Sequence, residues 1–476
     1  MHQTDLCYLS AVDALAAFKA RRLSPVELLE AVIDRAAQVE PTVNALTYTH
    51  FDKAMDEAKR AEAAYARGAA VGALAGLPVG IKDESYIAGM PTSSGSLILK
   101  DFVADSTSPV NASILAEGAI VHARTATPEF SCAVFTWSKL WGVTRNPWNP
   151  AFTPGGSSGG AAASLASGTS TLCTGSDIGG SIRVPAATCG LVGYKPPYGR
   201  NPEEPPFNLD FYCHNGPLAR TVGDAILLQN VMCGPHPKDI ATLRPKLVLP
   251  LSYPPIKGMK IALSRNLNMF EVDPEVERNT LAAAEVFRGL GATVTEVDLE
   301  WTPDFLGGGI DYLSHLFGGY LSGLLAEHAD KMTGYARDFA ERSIGSTAQT
   351  FVASLEKAGQ MYNTLGPILE EFDLLICPTT ALPAVAADFD PLKGEVRING
   401  KLVDPFIGWV MTVPFNMLSR CPVLQVPSGF AVNGVPTGIQ IVGRTYCDGD
   451  VFRAGLAYEA AVGGWIGNGG ARPNLG

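Results

Sequence analysis

The stretch Gly155-Gly156-Ser157-Ser158-Gly159-Gly160, followed by Ser176-Asp177-Ile178-Gly179-Gly180-Ser181-Ile182-Arg183, decides how this chain is read. Each loop sets a hydroxyl on a turn whose neighbours mostly lack bulk. A carbonyl can therefore approach both the oxygen and the surrounding backbone N–H groups. Upstream, Gly76-Leu77-Pro78-Val79-Gly80-Ile81-Lys82-Asp83 places a lysine among apolar residues and suits its burial. A lysine, with an ordinary pKa of about 10.4, is a base only when neutral, which takes desolvation or neighbouring cations. Two loop serines and such a lysine point to a hydrolase built on serine and lysine.

The pattern extends well beyond these loops. Gly80-Ile81-Lys82-Asp83, Thr127-Pro128-Glu129-Phe130, Thr144-Arg145-Asn146-Pro147-Trp148-Asn149-Pro150, the stretch from Pro154 to Lys195, Gly216-Pro217-Leu218-Ala219-Arg220-Thr221-Val222, Pro378-Thr379-Thr380 and Pro436-Thr437-Gly438-Ile439-Gln440-Ile441-Val442-Gly443 follow one another in order. In this order they resemble the blocks of the amidase signature family of amide hydrolases. The blocks cover nearly the whole chain; any one alone is weak evidence, and jointly they are highly specific. The resemblance implies one α/β/α domain spanning residues 1–476, with a large mixed central sheet and helices on both faces. Within it, residues 1–70 read as an N-terminal helical layer, 76–200 as the catalytic core and 304–351 as a helical insertion that shapes the pocket.

The resemblance also implies roles. Ser181 matches the nucleophile, Lys82 the base, and Ser157 the bridging serine that carries a proton between them and is held by a cis peptide after Gly156. Taken alone, Ser181 would be a helix-capping turn serine, the Ser157 loop a flexible linker and Lys82 a surface lysine. Gly179 and Gly180, however, leave the N–H groups of Ile178, Gly179, Gly180 and Ser181 unhindered, which is what an oxyanion hole requires. The Ala-rich run Ala161 to Ala166 follows the first loop at once, which argues against a linker. Ser176 and Arg183 read as supports behind these loops and Asp177 as a loop-positioning residue, with ordinary structural roles equally open. Phe130, Ser131 and Cys132, together with Phe207, Phe211, Tyr212 and Tyr312, are expected to line an apolar or aromatic cavity, although core packing accounts for aromatic residues equally well.

Competing chemistries fit less well. Gly155-x-Ser157-x-Gly159 and Gly156-x-Ser158-x-Gly160 both match a nucleophile elbow, but that motif needs a strand before it, and Trp148 to Pro154 carries two prolines. No Gly-Lys-Ser/Thr ending makes a phosphate loop. No H-E-x-x-H or clustered His/Asp spacing supports a metal hydrolase, so no metal or cofactor is expected. His122 falls in an apolar run and reads as a core residue, while His214 is ambiguous. Cys132, Cys173 and Cys189 lie near the loops in sequence without a neighbouring base, which disfavours thiol chemistry.

Of the 476 residues, 46% are apolar and 17% charged, enough for a large core and unlike a disordered chain. The net charge of −11, from 47 acids against 36 bases without a Lys/Arg run, argues against nucleic-acid or anionic-membrane partners. Met1 to Cys7 lacks the order of a secretory signal, and neither Gly160–Ser176 nor Phe305–Glu327 is a credible membrane span, so a cytoplasmic protein is expected. Nine cysteines without a C-x-x-C pair read as reduced and mostly buried.

Ser10 and Ser24 look like helix caps, the latter with Pro25 in the first turn. Ala54 to Ala69 and Ala161 to Ala166 read as helices, and Pro196 to Pro206 as an acidic surface loop. Lys260 to Leu299 reads as strand, helix, strand: Ile261-Ala262-Leu263, then Pro274 to Leu290, then Thr293 to Val297. Leu374 to Cys377 returns to the sheet. The expected function is hydrolysis of a small aryl or otherwise apolar amide through a serine acyl-enzyme, with a small-molecule partner only and a homodimer left open. The alternative is the glutamine-hydrolysing subunit of a transamidating complex, from whose pattern the stretch Phe207 to His214 departs; a non-catalytic scaffold is disfavoured by the intact serine and lysine set.

Overall fold

A computed structural model describes residues 3–466 and 470–475. Its frame is an eleven-stranded sheet made of Leu46–Thr49 (β1), Pro78–Lys82 (β2), Ile120–Thr125 (β3), Leu172–Ser176 (β4), Val192–Lys195 (β5), Asn215–Ala219 (β6), Lys260–Leu263 (β7), Thr293–Glu296 (β8), Leu374–Pro378 (β9), Val423–Phe430 (β10) and Pro436–Gly443 (β11). The spatial order is β1-β3-β2-β4-β6-β5-β10-β11-β9-β7-β8. The sheet is mixed, as expected: β3, β2 and β4 run parallel, β7 pairs in parallel with both β8 and β9, and the strands between are antiparallel.

Side chains alternate between the faces with the period of two that a strand imposes. Leu374 and Ile376 enter a core with Val79, Ile81, Ile261 and the helices Val222–Met232, Pro274–Gly289 and Asp448–Val462. Leu375 and Cys377 face the other way, into a core with Leu365 and Leu369 of Ala348–Glu371. Helices therefore cover both faces.

Local chemistry explains the helix starts. Ser10 caps Ala11–Lys19 by accepting from Asp13 N–H, and Ser24 forms a capping box with Glu27 at the head of Pro25–Val43. The helix expected over 54–69 runs Phe51–Ala66, and the Ala-rich one runs Gly159–Ser167. In its first turn only glycine fits at position 160, because a Cβ on Gly160 would lie 2.2 Å from Ala126 N. That close approach seats the helix against the sheet.

Residues 196–206 correct one expectation. Most of the segment is not at the surface: Pro196, Pro197, Gly199, Asn201 and Pro202 are buried and Glu203 and Glu204 are half-buried in a cavity wall, and only Pro205 and Pro206 are exposed. Among the described residues no helix is long and apolar enough to cross a membrane.

Candidate active site

Parallel pairing of β2 with β4 brings their carboxyl ends to one edge of the sheet, the usual place for a site in an open α/β sheet. Lys82 is the last residue of β2 and Ser176 the last of β4. Lys82 is 1% exposed, and its Nζ lies 2.7 Å from Ser157 Oγ, 2.8 Å from Ser176 Oγ and 3.2 Å from Glu84 Oε1. Burial holds its pKa below the ordinary lysine value, and the Glu84 carboxylate opposes that shift. The peptide between Gly156 and Ser157 is cis. Ser158 N–H donates to the Ser181 carbonyl at 3.2 Å and so ties the two loops together. No hydrogen bond joins the hydroxyls of the two described residues Ser157 and Ser181.

The second loop folds around Asp177. Its carboxylate takes a two-pronged pair from Arg183, Nε to Oδ2 at 2.9 Å and Nη2 to Oδ1 at 2.8 Å, with both residues fully buried. Asn416 Nδ2 donates to Oδ1 at 2.8 Å, and Arg183 also reaches the Thr412 carbonyl and the side chains of Gln440 and Asn416. Burial alone would raise Asp177, but the Arg183 charge and these hydrogen bonds hold its carboxyl well below the usual range.

The same carboxylate revises the expected oxyanion donors. Gly180 N–H donates to Asp177 Oδ1 at 2.8 Å and is already spent. Gly180 sits at φ 128°, where a Cβ would lie 1.9 Å from Thr412 Oγ1. Among the described residues, the N–H groups of Ile178, Gly179 and Ser181 have no protein acceptor.

Removing Arg183 would strand a buried carboxylate. Arg183→Ala is expected to cost about 3–5 kcal/mol in urea denaturation at neutral pH. Because the folded Asp177 pKa is depressed, the stability it contributes is present above the unfolded value of about 3.9 and is lost as pH falls through the folded one. A deficit that stayed constant down to pH 2 would contradict this account.

Two cavities meet at the loops, with Ser131, Ile178 and Phe317 lining both. One, of about 190 Å³, holds Ser181 and Gly179 against Val134, Leu313, Phe339 and Val413. The other, of about 450 Å³, holds Ser157 and Ser176 with Glu84, Glu203, Glu204 and Tyr320. Burial, and after it the carboxylates of Glu84, Glu204 and Asp239, push the Glu203 carboxyl up to about 8.

Of the expected pocket residues, Phe130, Ser131, Cys132 and Phe207 line one or other cavity. Phe211 and Tyr212 do not. Phe211 faces outward, packed edge-on to Tyr198 beneath the Arg420 guanidinium, 4.6 Å away. Tyr212 is 2% exposed and stacks on Tyr312 with ring centres 3.7 Å apart. Both tyrosines belong to the core, and Asp210 is buried beside them, accepting from Tyr212 N–H.

The remaining titratable candidates are structural. The ring nitrogens of His214 face only the backbone carbonyls of Asp177, Tyr212 and Ser419, to which a ring N–H can only donate, and burial and then the Lys195 charge push it down to about 3. His122 is likewise held between Val79 and Thr169 carbonyls. Lys195, a second buried lysine lowered to about 7, chiefly by burial and then by Arg183, donates to the carbonyls of Pro196, Ser419 and Cys421. Burial raises the thiols of Cys132, Cys173 and Cys189, so none of them presents a thiolate. No group of residues with metal-ligating spacing occurs among the described residues.

Sequence reasoning missed Glu84, Glu203, Cys213, Asn215 and Phe317. Glu84 directly follows the block that carries Lys82, so that block pointed to it. The others reach the cavities by pairings such as Ser176 opposite Asn215, which no local pattern announces.

Similarity to known proteins agrees with this geometry. The family model for Amidase matches residues 27–452. An acylamidase of Rhodococcus erythropolis is 31% identical, covering 97% of this chain and 97% of its own. A glutamyl-tRNA(Gln) amidotransferase subunit of Thermosynechococcus vestitus (strain NIES-2133 / IAM M-273 / BP-1) is 35% identical, covering 92% of this chain and 94% of its own. The crystal structure of a bacterial aryl acylamidase belonging to the amidase signature enzymes family has a TM-score of 0.89 at 32% identity, covering 95% of this chain and 96% of that one.

Proposed function

The chain belongs to the amidase signature family of amide-hydrolysing enzymes, and on that premise we propose that it is an amidase for small aryl amides. The observation that carries this reading is the mostly apolar cavity of about 190 Å³ that holds Ser181 and is also lined by Asp338, Arg342 and Asp404. Apolar space of roughly 150 Å³ accommodates a benzene ring. The acylamidase and aryl acylamidase relatives support the same substrate class.

In this reading, neutral Lys82 takes a proton from Ser157 and Ser157 takes one from Ser181 as the Ser181 oxygen bonds to the amide carbon. The relay needs the Ser181 hydroxyl within hydrogen-bonding distance of Ser157, on loops already tied by Ser158 N–H to the Ser181 carbonyl. The N–H groups of Ile178, Gly179 and Ser181 receive the oxyanion. When the C–N bond breaks, the proton on Lys82 returns through Ser157 to the leaving amine. Water, deprotonated by the same route, releases the acyl group. Nine cysteines, no two of them spaced C-x-x-C, suit a reducing, cytoplasmic setting.

The test is the ratio of kcat/KM for an anilide to that for an aliphatic amide of matched leaving-group reactivity. Phe317→Ala, which removes a ring shared by both cavities, is expected to lower that ratio about tenfold, the effect of roughly 50 Å² of apolar contact at ~25 cal/mol per Å². Phe211→Ala should leave it unchanged. If the aliphatic amide is preferred, the aryl assignment fails; ammonia release from glutamine in preference to both amides would favour the transamidating-complex alternative.

A further inference from the structure

The Lys82 amine has three polar neighbours, and only one of them is limited to a single role. A neutral amine offers two N–H donors and one lone pair. The hydroxyls of Ser157 and Ser176 can donate or accept, whereas an ionised carboxylate only accepts. Glu84 Oε1, 3.2 Å away, therefore claims one N–H, and the lone pair is left facing the serines.

Glu84 is itself held in place. The Ser131 hydroxyl donates to its Oε2 through a short hydrogen bond, and Ser131 Oγ lies 2.7 Å from Thr127 Oγ1. Glu84 and Ser131 both border the larger cavity, beside Ser157 and Ser176. The proton relay described above makes no use of this carboxylate.

We propose that Glu84 is a positioning residue for the base: it aims the Lys82 lone pair at the serine hydroxyls and sets the pH at which Lys82 becomes neutral. The proposal rests on Lys82 being the base. When Lys82 receives the serine proton, it becomes an ammonium beside a carboxylate, an arrangement that stabilises the charged form against burial. Other groups around Lys82 are committed elsewhere. Asp177 acts from farther away and is paired with Arg183, and the Cys213 thiol is raised by burial and stays protonated. Arg124 donates to the Lys82 carbonyl at 3.0 Å, not to Nζ, and Asp83 binds Ser93.

The experiment follows the pH dependence of serine inactivation by a fluorophosphonate, which reads nucleophile activation without the natural substrate. In Glu84→Gln the alkaline limb is expected to move to lower pH by about 1–3 units, the range for loss of an opposite charge at this distance. The plateau rate should fall, because the base is weaker. Glu84→Asp keeps the charge and should hold the limb within a few tenths of a unit of the wild type. Should Gln unsettle the loop, Glu84→Ala is expected to show the same direction of shift. A limb that stays in place in folded Glu84→Gln and Glu84→Ala, or that moves equally in Glu84→Asp, overturns the proposal. If Lys82→Ala abolishes the limb while the Glu84 variants leave it untouched, only the role of Glu84 falls; if the limb persists in Lys82→Ala, the base assignment falls with it.

Discussion

Ser181→Ala is expected to reduce turnover by on the order of 10⁶ while the melting temperature stays within about 2 °C of the parent. Both halves of that expectation come from the site. The hydroxyl is the one group proposed to bond covalently to the substrate, and without it the remaining donors can only hold an amide that nothing attacks. Yet Ser181 Oγ makes no hydrogen bond to another described residue, so its removal orphans no partner. The loop geometry rests instead on Ser158 N–H to the Ser181 carbonyl and on the Asp177–Arg183 pair behind it. The check is single-turnover hydrolysis of an anilide alongside thermal unfolding. Substantial activity in a folded Ser181→Ala protein would move the nucleophile elsewhere in the site.

The contrast between Ser181 and the aromatic residues shows what kind of information the sequence carried. Loop chemistry is local: glycines, serines and a lysine at the end of an apolar run mark positions where backbone and side chain are constrained within a few residues. Lys82, Ser157 and Ser176 accordingly meet within hydrogen-bonding distance. The mixed sheet was expected from the family resemblance, while apolar runs such as Leu374 to Cys377, whose side chains enter two cores, marked individual strands. The pocket was not legible. Phe211 and Tyr212 follow the catalytic loops in sequence, but whether a ring faces a cavity, solvent or the core depends on what packs over it. Tyr312 arrives from a distant helix to stack on Tyr212, and Arg420 covers Phe211. Gly180 shows the same limit on a smaller scale. Its N–H looked free, and only the fold reveals that the Asp177 carboxylate takes it.

Lys82→Ala should lower turnover by about 10⁴-fold and remove the alkaline limb of the pH profile. The sign follows from the proton that the base must accept: activity requires the neutral amine, so the rate climbs as pH rises through the folded pKa of Lys82. Burial depresses that pKa, which places the limb below the ordinary lysine value of about 10.4 and nearer the range where an enzyme works. Glu84 limits how far the depression goes. With alanine at this position no other described group is placed to draw the proton from Ser157. Lys195 is committed to carbonyl oxygens, His214 and His122 are buried with their nitrogens on backbone carbonyls, and Glu203 accepts from Asn215 and from the Glu204 N–H. Whatever rate survives should therefore show no such limb from about pH 6 to 10. Profiles of kcat/KM for the two proteins over that range decide the matter, and a limb that persists at the same pH in the alanine variant would show that Lys82 is structural and that a different group draws the proton from Ser157.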